Sequence, residues 1–529
     1  MEAFEISVVH TYLDFGWFGS AIPLHMAELS VIQASIEDPI PIKTILTAEG
    51  DIALQFTREV TDVSADLINR VRWKIDLCIL PLLALTTLLQ FLDKSTLSYA
   101  GIFGIIDDLD LKGDEYSWLA SIFYFVQPLG SFLLQKFTPA KCLSATVFLW
   151  GVILFMHVVC KNWSGLMAVR FFLGMAEGIV TPAFMLISTG WYARRDQPLR
   201  MGVWFSFNGL AQIVGGLLSY GLGHIHVNNI APWKWMFIVT AALSIIWSIV
   251  LFLMLPDSQL TAWFLKDNAE KHAAIEMIRE NNTGIHSRKF KKEQLVEALL
   301  DPMTWMLFFM ALVWNIPNSI ATFGNLLVKD FGYSTLETTL LGMPAGAFEF
   351  ILMLIITYVC ISFANTRVYC MTAALVLALV GSILVYAAPY HNKAALLAGY
   401  YLIYAFPTGY ILLLSMASAN IAGHTKKVTV NSIIMIGYCV GNIAGPQFWK
   451  TEQAPRYGLG VGSCLVSFVI LIVLVLIMRI YLHVLNKRRQ SDQPMSEAAI
   501  ENVEFFDLTD KINPTFVSEI HWQAQLQLI

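Results

Sequence analysis

The sequence is poor in charged residues. Only 14% of its 529 residues are Asp, Glu, Lys or Arg, whereas 56% are hydrophobic and 13% are aromatic. A soluble chain of this length needs much more polar surface to cover its folded state. The low charge content therefore excludes an ordinary soluble globular protein and predicts a chain that lies largely in lipid.

The chain also lacks the patterns that mark several other protein classes. Its seven cysteines have no paired C-x-x-C spacing, so we expect buried small hydrophobic residues and neither disulfides nor metal ligands. The net charge is −5 and the basic residues are scattered, which argues against a nucleic-acid partner. No nucleophile–base or metal-ligand constellation is evident, so we predict neither an enzyme nor a cofactor.

Long apolar stretches are abundant and fall into two blocks of six, from Ile75 to Leu255 and from Trp305 to Leu485. A helix that rises ~1.5 Å per residue crosses a ~30 Å hydrocarbon core in about 20 residues, which these stretches provide. The predicted spans are 75–99, 117–137, 142–160, 164–192, 201–223 and 235–255, then 305–328, 339–361, 367–388, 394–421, 428–448 and 459–485. The pattern predicts an all-α polytopic membrane protein with about twelve transmembrane helices in two six-helix bundles.

The same pattern divides the chain into five parts. They are a cytosolic N-terminal extension (1–69), a first bundle (70–255), a cytosolic connector (256–304), a second bundle (305–485) and a cytosolic tail (486–529). Lys and Arg are about threefold more frequent in the loops on the side of the N-terminus, which predicts that both termini and the connector face the cytosol. Within the connector, Asp267 to Glu280 has helical spacing.

Ionisable residues inside spans are costly, so the few that occur are the strongest functional candidates. They are Asp93 and Lys94 in the first span, Arg170 and Glu177 in the fourth, and Glu349 in the eighth. Arg170 and Glu177 are seven residues apart and project from one helix face, about 10 Å apart along the axis. Lys94 and Arg170 are candidates for binding an anion, and the three carboxylates are candidates for proton coupling. A scaffolding role is the alternative reading for each.

Polar residues at helix-face spacing suggest a hydrated pathway. The candidates are Asn208 with Gln212, Asn315 with Asn318, and Asn431 with Tyr438. Hydrogen bonds that hold helices together are an equally common use of such residues, and both interpretations stay open. His157, near the end of the third span, is predicted to lie at the membrane interface.

Several motifs, in this order, resemble the fungal allantoate permease family, within the anion:cation symporter group of the major facilitator superfamily. They include KIDLCILPLLALTTLLQFLDKSTLSYA from Lys74, RFFLGMAEGIVTP from Arg170, WYARRDQPLR from Trp191, LLGMPAGA from Leu340 and DLTDKINP from Asp507. The resemblance covers about residues 70 to 515. It implies the major facilitator fold, with a central site that opens alternately to each side of the membrane.

The resemblance also implies a function, namely proton-coupled import of a small organic anion such as allantoate, ureidosuccinate, nicotinate or pantothenate. In that group, charged residues of the first and fourth spans couple substrate and ion, which here are Asp93, Lys94, Arg170 and Glu177. The expected partners are a small carboxylate, protons and the lipid bilayer, and we expect a functional monomer in the plasma membrane. The alternative is a nutrient sensor on the same fold that does not transport.

The chain departs from the family in two places. Gln135 and Lys136 stand where the superfamily usually has an Asp-Arg/Lys signature, a substitution that is also usual in this family. The segment SIFYFVQPLGSFLLQKF from Ser121 is several residues shorter than in family members. Because four residues make about one helical turn, the second span is expected to be shorter and its register changed.

Overall fold

The structure is a computed structural model that describes residues 64–129, 134, 138–193, 196–225, 230–279, 291–363, 366–491 and 509–511. Most of the predicted N-terminal extension, up to residue 63, therefore lies outside the described residues. We number the helices of seven or more residues. They are α1 (Ala65–Ile102), α2 (Glu115–Ser121), α3 (Pro139–Met156), α4 (Trp163–Glu177), α5 (Val180–Trp191), α6 (Gln197–Gly223), α7 (Pro232–Met254), α8 (Asn268–Arg279), α9 (Lys292–Leu300), α10 (Pro302–Asn315), α11 (Ile320–Asp330), α12 (Thr335–Leu341), α13 (Met343–Ser362), α14 (Arg367–Ala387), α15 (Lys393–Ile403), α16 (Phe406–Asn420), α17 (His424–Ala444) and α18 (Gly458–Ser491).

The prediction of an all-α polytopic membrane protein is confirmed. Within the described ranges, eleven helical segments are long and apolar enough to cross a bilayer. They are Asp66–Ile102, Pro139–Val159, Trp163–Trp191, Leu199–Gly223, Pro232–Met254, Pro302–Asp330, Thr335–Cys360, Arg367–Ala387, Lys393–Asn420, His424–Phe448 and Gly458–Arg488. Each corresponds to one of the predicted spans.

The predicted span at 117–137 differs from the other eleven. Helix α2 ends at Ser121, and two short 3₁₀ turns follow at Ile122–Tyr124 and Gln127–Leu129. Pro128 has no N–H to donate to a continuing helix, and the segment is the one that the sequence identifies as shortened. Residues 130–133 and 135–137 lie outside the described part. In the residues that are described, this span is therefore not one continuous helix.

In the described part of the chain, the fourth, seventh, eighth and tenth predicted spans each consist of two consecutive helices, and α12 and α13 of the eighth meet at Gly342. The break between α4 and α5 directly follows Glu177, the break between α10 and α11 contains Pro317, and α16 begins one residue before Pro407. Proline removes a backbone donor, which explains the second and third breaks. Broken helices leave backbone groups available inside a bundle, where they can line a site. Glu177 is placed at such a break.

The two halves of the chain are packed in the same way. In the first half α1 packs against α6, and α3 packs against α7. In the second half α10 packs against α17, and α14 packs against α18. These are the same pairs when each half is counted by spans, the first with the fifth and the third with the sixth. The repeat, which is seen only as hydropathy in the sequence, is therefore also a repeat of helix packing.

One seam between the halves is a close helix contact along α6 and α13. At its centre Gly209 meets Gly346, and a Cβ added to Gly209 would lie 2.4 Å from the Gly346 carbonyl oxygen. A Cβ added to Gly346 would meet the Gly209 carbonyl at the same distance. Only glycine permits this backbone approach, as in other tightly packed membrane helices.

The other seam is polar and lies near Trp449, at what we call the Trp449 end. The Ser121 hydroxyl donates to the Ile443 carbonyl oxygen (2.9 Å) and accepts from the Gln447 amide (2.9 Å). The Ser117 hydroxyl donates to the Trp449 carbonyl oxygen (3.4 Å). These contacts join the two halves across the end of the bundle opposite the connector.

The connector contributes one helix to each half. The predicted helix at Asp267–Glu280 is observed as α8, which packs on α1, whereas α9 packs on α17. Lys74 of α1 donates to Glu270 of α8 and holds the pKa of that carboxyl below its usual range. The connector therefore reaches both bundles at one end of the molecule. We call it the Lys426 end, because Lys426 is buried there at the start of α17.

The glycine contact generates a prediction about stability. Gly209→Ala should destabilise the protein by about 1–3 kcal/mol, the usual cost of overpacking, because the added methyl group meets the backbone of α13. Gly221→Ala in the same helix is the matched control, since a Cβ there has nothing within 4 Å. Thermal unfolding of the purified proteins measures both. Equal midpoints for the two variants would contradict the tight seam.

Candidate functional site

Helices α1 and α4 bring four charged residues into the interior of the first half. Asp93 is 0% exposed, Glu177 is 1% exposed and Arg170 is 3% exposed, while Lys94 is half-buried. The charges that act on the Glu177 carboxyl are those of Lys94 and Arg170, and Gln90 lies one turn before Lys94 on the same helix. The four residues that the sequence singled out in the first and fourth spans therefore form one buried cluster.

Asp93 is tied into the scaffold of the first half. Its Oδ2 atom accepts a hydrogen bond from the indole N–H of Trp150 on α3, and the hydroxyl of Ser244 on α7 lies 3.1 Å away. These contacts join α1 to two other helices. Within the described ranges its second oxygen, Oδ1, has no hydrogen-bond partner. Asp93 thus combines a structural role with one free oxygen.

Arg170 and Glu177 are much less engaged. Among the described residues, the Nε and Nη2 atoms of Arg170 have no hydrogen-bond acceptor, and neither carboxylate oxygen of Glu177 has a donor at full hydrogen-bond geometry, the Gln90 side chain being the donor within reach. The Arg170 guanidinium lies 5.8 Å from the centre of the Phe237 ring. A buried guanidinium with unused donors next to a buried carboxylate with unused acceptors is costly unless a ligand completes it.

His157 packs in the same region, inside the bundle. The ring is 0% exposed and stacks on Phe237 with centroids 4.7 Å apart, so Phe237 contacts both His157 and Arg170. Its Nδ1 atom lies 3.1 Å from the Leu154 carbonyl oxygen, so that nitrogen carries the proton. The helix turn that carries His157 faces α7 and not the surface, and the expected depth at the membrane interface stays a prediction.

Two of the polar candidates in the second half are used to join helices. The Asn318 amide donates to the Asn442 side-chain oxygen (2.7 Å), and the Asn442 amide donates to the Asn315 side-chain oxygen (3.1 Å). Asn315 also donates to the Ala311 carbonyl oxygen (2.7 Å). This chain of amides connects α10 and the following turn to α17. For these residues the geometry favours the interpretation as hydrogen bonds between helices.

Tyr438 lies at a contact between the halves. Its ring is 5.8 Å from Tyr124, which belongs to the first half, and 6.0 Å from Tyr410 on α16. The Lys94 ammonium lies 5.6 Å from Phe123, the neighbour of Tyr124 in sequence. Tyrosine hydroxyls can both donate and accept hydrogen bonds beside the charged cluster. Asn431, two turns earlier on the helix of Tyr438, is exposed.

Glu349 occupies a second buried position, at the seam between α6 and α13. It is 1% exposed, and its Oε2 atom accepts a hydrogen bond from the Gln212 amide across the seam (3.2 Å). Asn208, one turn before Gln212, is also buried. No cation among the described residues pairs with Glu349, and its Oε1 atom has no partner there. Glu349 is therefore set apart from the cluster on α1 and α4.

Sequence reasoning missed the aromatic residues that surround the charged cluster. Tyr116 and Tyr124 come from the irregular second span, and Tyr410 comes from α16. Tyr116 also packs edge-on against Phe323 of the second half, with centroids 5.4 Å apart. Aromatic residues are common throughout this chain, so no spacing distinguished these from residues that face lipid. Only the packing of the two halves identifies them.

Comparisons with known proteins find relatives that match most of this chain. The sequence model described as "Major Facilitator Superfamily" matches residues 83–446. An uncharacterized transporter of Schizosaccharomyces pombe is 37% identical over 85% of this chain and 87% of its own. The allantoate permease of Saccharomyces cerevisiae is 35% identical over 90% of this chain and 93% of its own. The thiamine pathway transporter THI73 of the same yeast is 35% identical over 86% of this chain and 87% of its own.

A solved structure is similar in fold. It is a bacterial homolog to the human lysosomal transporter Spinster in an inward-facing and unoccupied conformation. The TM-score is 0.52 at 16% sequence identity, over 78% of this chain and 96% of the other. At this identity the match describes the fold and no more.

The environment of Asp93 generates a prediction. Trp150→Phe keeps an aromatic ring but removes the N–H that Asp93 accepts, and hydrogen bonds to charged groups contribute about 1.5–3 kcal/mol. Trp204→Phe is the matched control, because Trp204 is also buried while its N–H has no partner in the described part of the chain. In thermal unfolding, Trp150→Phe should lose clearly more stability than the control. Equal losses would show that the hydrogen bond contributes nothing.

Proposed function

The chain belongs to the Major Facilitator Superfamily of transporters, and we propose that it imports a small organic anion together with protons. It is an integral membrane protein. The observation that carries the proposal is the pair of buried, unpartnered groups on α4. Arg170 offers unused donors in a planar fork that suits a carboxylate, and Glu177 offers unused acceptors beside it. The relatives named as permease and transporter support transport as the activity.

Charge balance in the buried cluster favours coupling of one anion to one proton. Lys94 and Arg170 carry two formal positive charges, and Asp93 and Glu177 carry two formal negative charges. A bound monoanion would leave one uncompensated negative charge in the interior, which is strongly unfavourable. A proton on one carboxylate restores neutrality. Anion and proton therefore stabilise each other in the site, which is the thermodynamic basis of symport.

Glu177 is the carboxylate that we assign to this proton. Asp93 already accepts the Trp150 N–H, and Glu349 accepts the Gln212 amide and has no cation paired with it in the described residues. Among these three carboxylates of the described chain, only Glu177 has neither oxygen in a hydrogen bond of full geometry, and the charges of both Lys94 and Arg170 act on it. Its protonation state therefore responds most directly to an anion that binds to Arg170.

The contacts at the Trp449 end support a cycle of alternating access. With both termini in the cytosol, as the loop charges predict, this end faces outward, and the hydrogen bonds that Ser121 and Ser117 donate to the Ile443 and Trp449 carbonyl oxygens hold it closed. Lys450 adds an ion pair to Asp114 (3.3 Å) across the same seam. Opening of this end would admit the anion and proton, and closing it again would deliver both to the cytosol. The plasma membrane is the proposed location.

The function is tested by uptake in a yeast strain that lacks its own allantoate-type permeases. Labelled allantoate, nicotinate, pantothenate and a dipeptide are supplied at several external pH values. We expect uptake of at least one anion that rises as the pH falls and is abolished by an uncoupler. Glu177→Gln should keep uptake but lose its acid stimulation, whereas Glu349→Gln should keep the stimulation. Absence of any uptake at confirmed surface expression would contradict the transport proposal and favour the sensor alternative.

Arg170 provides a separate test. Arg170→Lys keeps the positive charge but removes the fork, so the KM for the transported anion should rise about tenfold or more, equivalent to about 1.4 kcal/mol or more of binding free energy. Arg479→Lys is the control, because Arg479 on α18 is half-buried and donates to the Tyr369 hydroxyl on α14 (2.7 Å), outside the cluster. Unchanged uptake by Arg170→Lys at normal surface expression would exclude Arg170 as the anion site.

A further inference from the structure

A second cluster of charges lies at the Lys426 end, outside the candidate transport site. The Lys426 side chain, on the first turn of α17, is 1% exposed. Its Nζ atom lies 2.9 Å from a Glu297 oxygen, 2.8 Å from an Asp301 oxygen and 2.8 Å from an Asp510 oxygen. The three carboxylates come from three places in the chain, namely α9, the residue that caps α10, and the C-terminal tail.

The tail segment 509–511 makes specific contacts beyond this ion pair. The Asp510 Oδ1 atom accepts the backbone N–H of Ala422 (3.3 Å), in the turn before α17. The Thr509 hydroxyl donates to the second oxygen of Glu297 (2.8 Å). Thr509 is 1% exposed and Asp510 is 5% exposed. This part of the tail is therefore seated in the protein.

The seat has a defined shape. Gly423 adopts φ +87°, and a Cβ there would lie 3.0 Å from the Thr509 methyl carbon and 3.1 Å from the Gln294 side-chain oxygen. Glycine is therefore needed both for the backbone angle and for the space that Thr509 occupies. The same Gln294 oxygen accepts the backbone N–H groups of Thr425 (2.9 Å) and Lys426 (3.3 Å). Helix α9 thus caps the first turn of α17 without help from the tail.

The charges indicate that the tail can leave this seat. When Asp510 is removed, Lys426 still has Glu297 and Asp301 as partners, so no buried cation is left unpaired. The cost of undocking is therefore limited to the contacts of the tail itself. If Lys426 were lost instead, three carboxylates would face one another without their shared counter-charge. Removal of Asp510 therefore costs less than removal of Lys426, so the tail is the member of the cluster that can leave.

The first half has a related arrangement without a tail. Arg200 at the start of α6 pairs with Asp76 of α1 (2.8 Å), as Lys426 of α17 pairs with Asp301 at the start of α10. Each half thus joins its first and fifth spans by an ion pair at the same end of the bundle. Asp510 is an addition that only the second half carries in the described residues.

We propose that the Lys426 end is a docking site for a short acidic peptide segment, and that its occupant is the chain's own tail at Thr509–Lys511. Docking fastens α9 of the connector to the turn before α17, and release frees that turn while the ion pair between Lys426 and Asp301 persists. The site is independent of the transported anion, because its groups lie on other elements than Arg170 and Glu177.

The test is hydrogen–deuterium exchange of the full chain in detergent, which needs no substrate. Asp510→Asn removes the charge and keeps the size. We expect amide exchange in residues 292–300 and 422–430 to accelerate about tenfold, as for local opening, with no change in α8, the connector helix that packs on the first half. Lys511→Ala is the control. The Lys511 side chain is 44% exposed and its Nζ atom lies as far as 3.9 Å from the Asp301 oxygen, so its loss should leave exchange unchanged.

A second variant separates docking from general stability. Thr509→Val keeps the shape in the seat but removes the hydrogen bond to Glu297, so it should accelerate exchange in the same two segments to a smaller degree. Unchanged exchange in Asp510→Asn would overturn the proposal. So would acceleration that extends equally to α8, or a variant that fails to fold, because either would make the tail a fixed part of the core.

Discussion

The cost of burying charge in an apolar bundle determines how this protein is organised. The surface that faces lipid can be apolar throughout, as exposed residues such as Phe252, Leu253 and Ile480 are, but the interior must neutralise every ion that it holds. The structure meets this constraint by grouping ions of opposite sign. Two cations and two carboxylates share the interior of the first half, and Glu349 shares its seam with an amide donor.

The same constraint explains why a ligand belongs in the cluster. Asp93 is satisfied in part by Trp150, whereas Arg170 and Glu177 remain without hydrogen-bond partners among the described residues. A structure that served stability alone would pair these two directly, yet they are two helical turns apart on α4. In the function that we propose, this separation leaves a place for an anion next to Arg170 and for a proton on Glu177, and the cost of burying charge couples the two.

The two seams between the halves differ in kind, and this difference is suited to motion. Along α6 and α13 the backbones pack closely at Gly209 and Gly346, and Gln212 donates one hydrogen bond to Glu349 across the seam. At the Trp449 end, Ser121 and Ser117 join the halves through the hydrogen bonds that they donate to the Ile443 and Trp449 carbonyl oxygens. Such contacts can be exchanged for water when this end opens. Charged links such as Arg200–Asp76 and Lys426–Asp301 lie inside one half and keep each half together.

Most of the fold could be predicted from the sequence, because the preference of each residue for lipid or water depends on its own side chain. Eleven of twelve predicted spans are found as helices, and the family motifs agree with the relatives. The exception is the shortened segment after Ser121, whose irregular path depends on Pro128 and on close packing against α4. Hydropathy indicates whether a residue prefers lipid, but it does not indicate which path the backbone of a shortened span takes.

The sequence by itself determined the class of protein, the spans, and the ionisable residues at depth. Only the tertiary structure decided what each of those residues does. Asn315 and Asn318 bind another asparagine, Glu349 binds Gln212, and Asp510 reaches a lysine that is 84 residues away in the chain. These outcomes depend on helix rotation and on partners far apart in sequence. Burial cost acts on each residue separately, but charge pairing and hydrogen bonding act only between residues that the fold brings together.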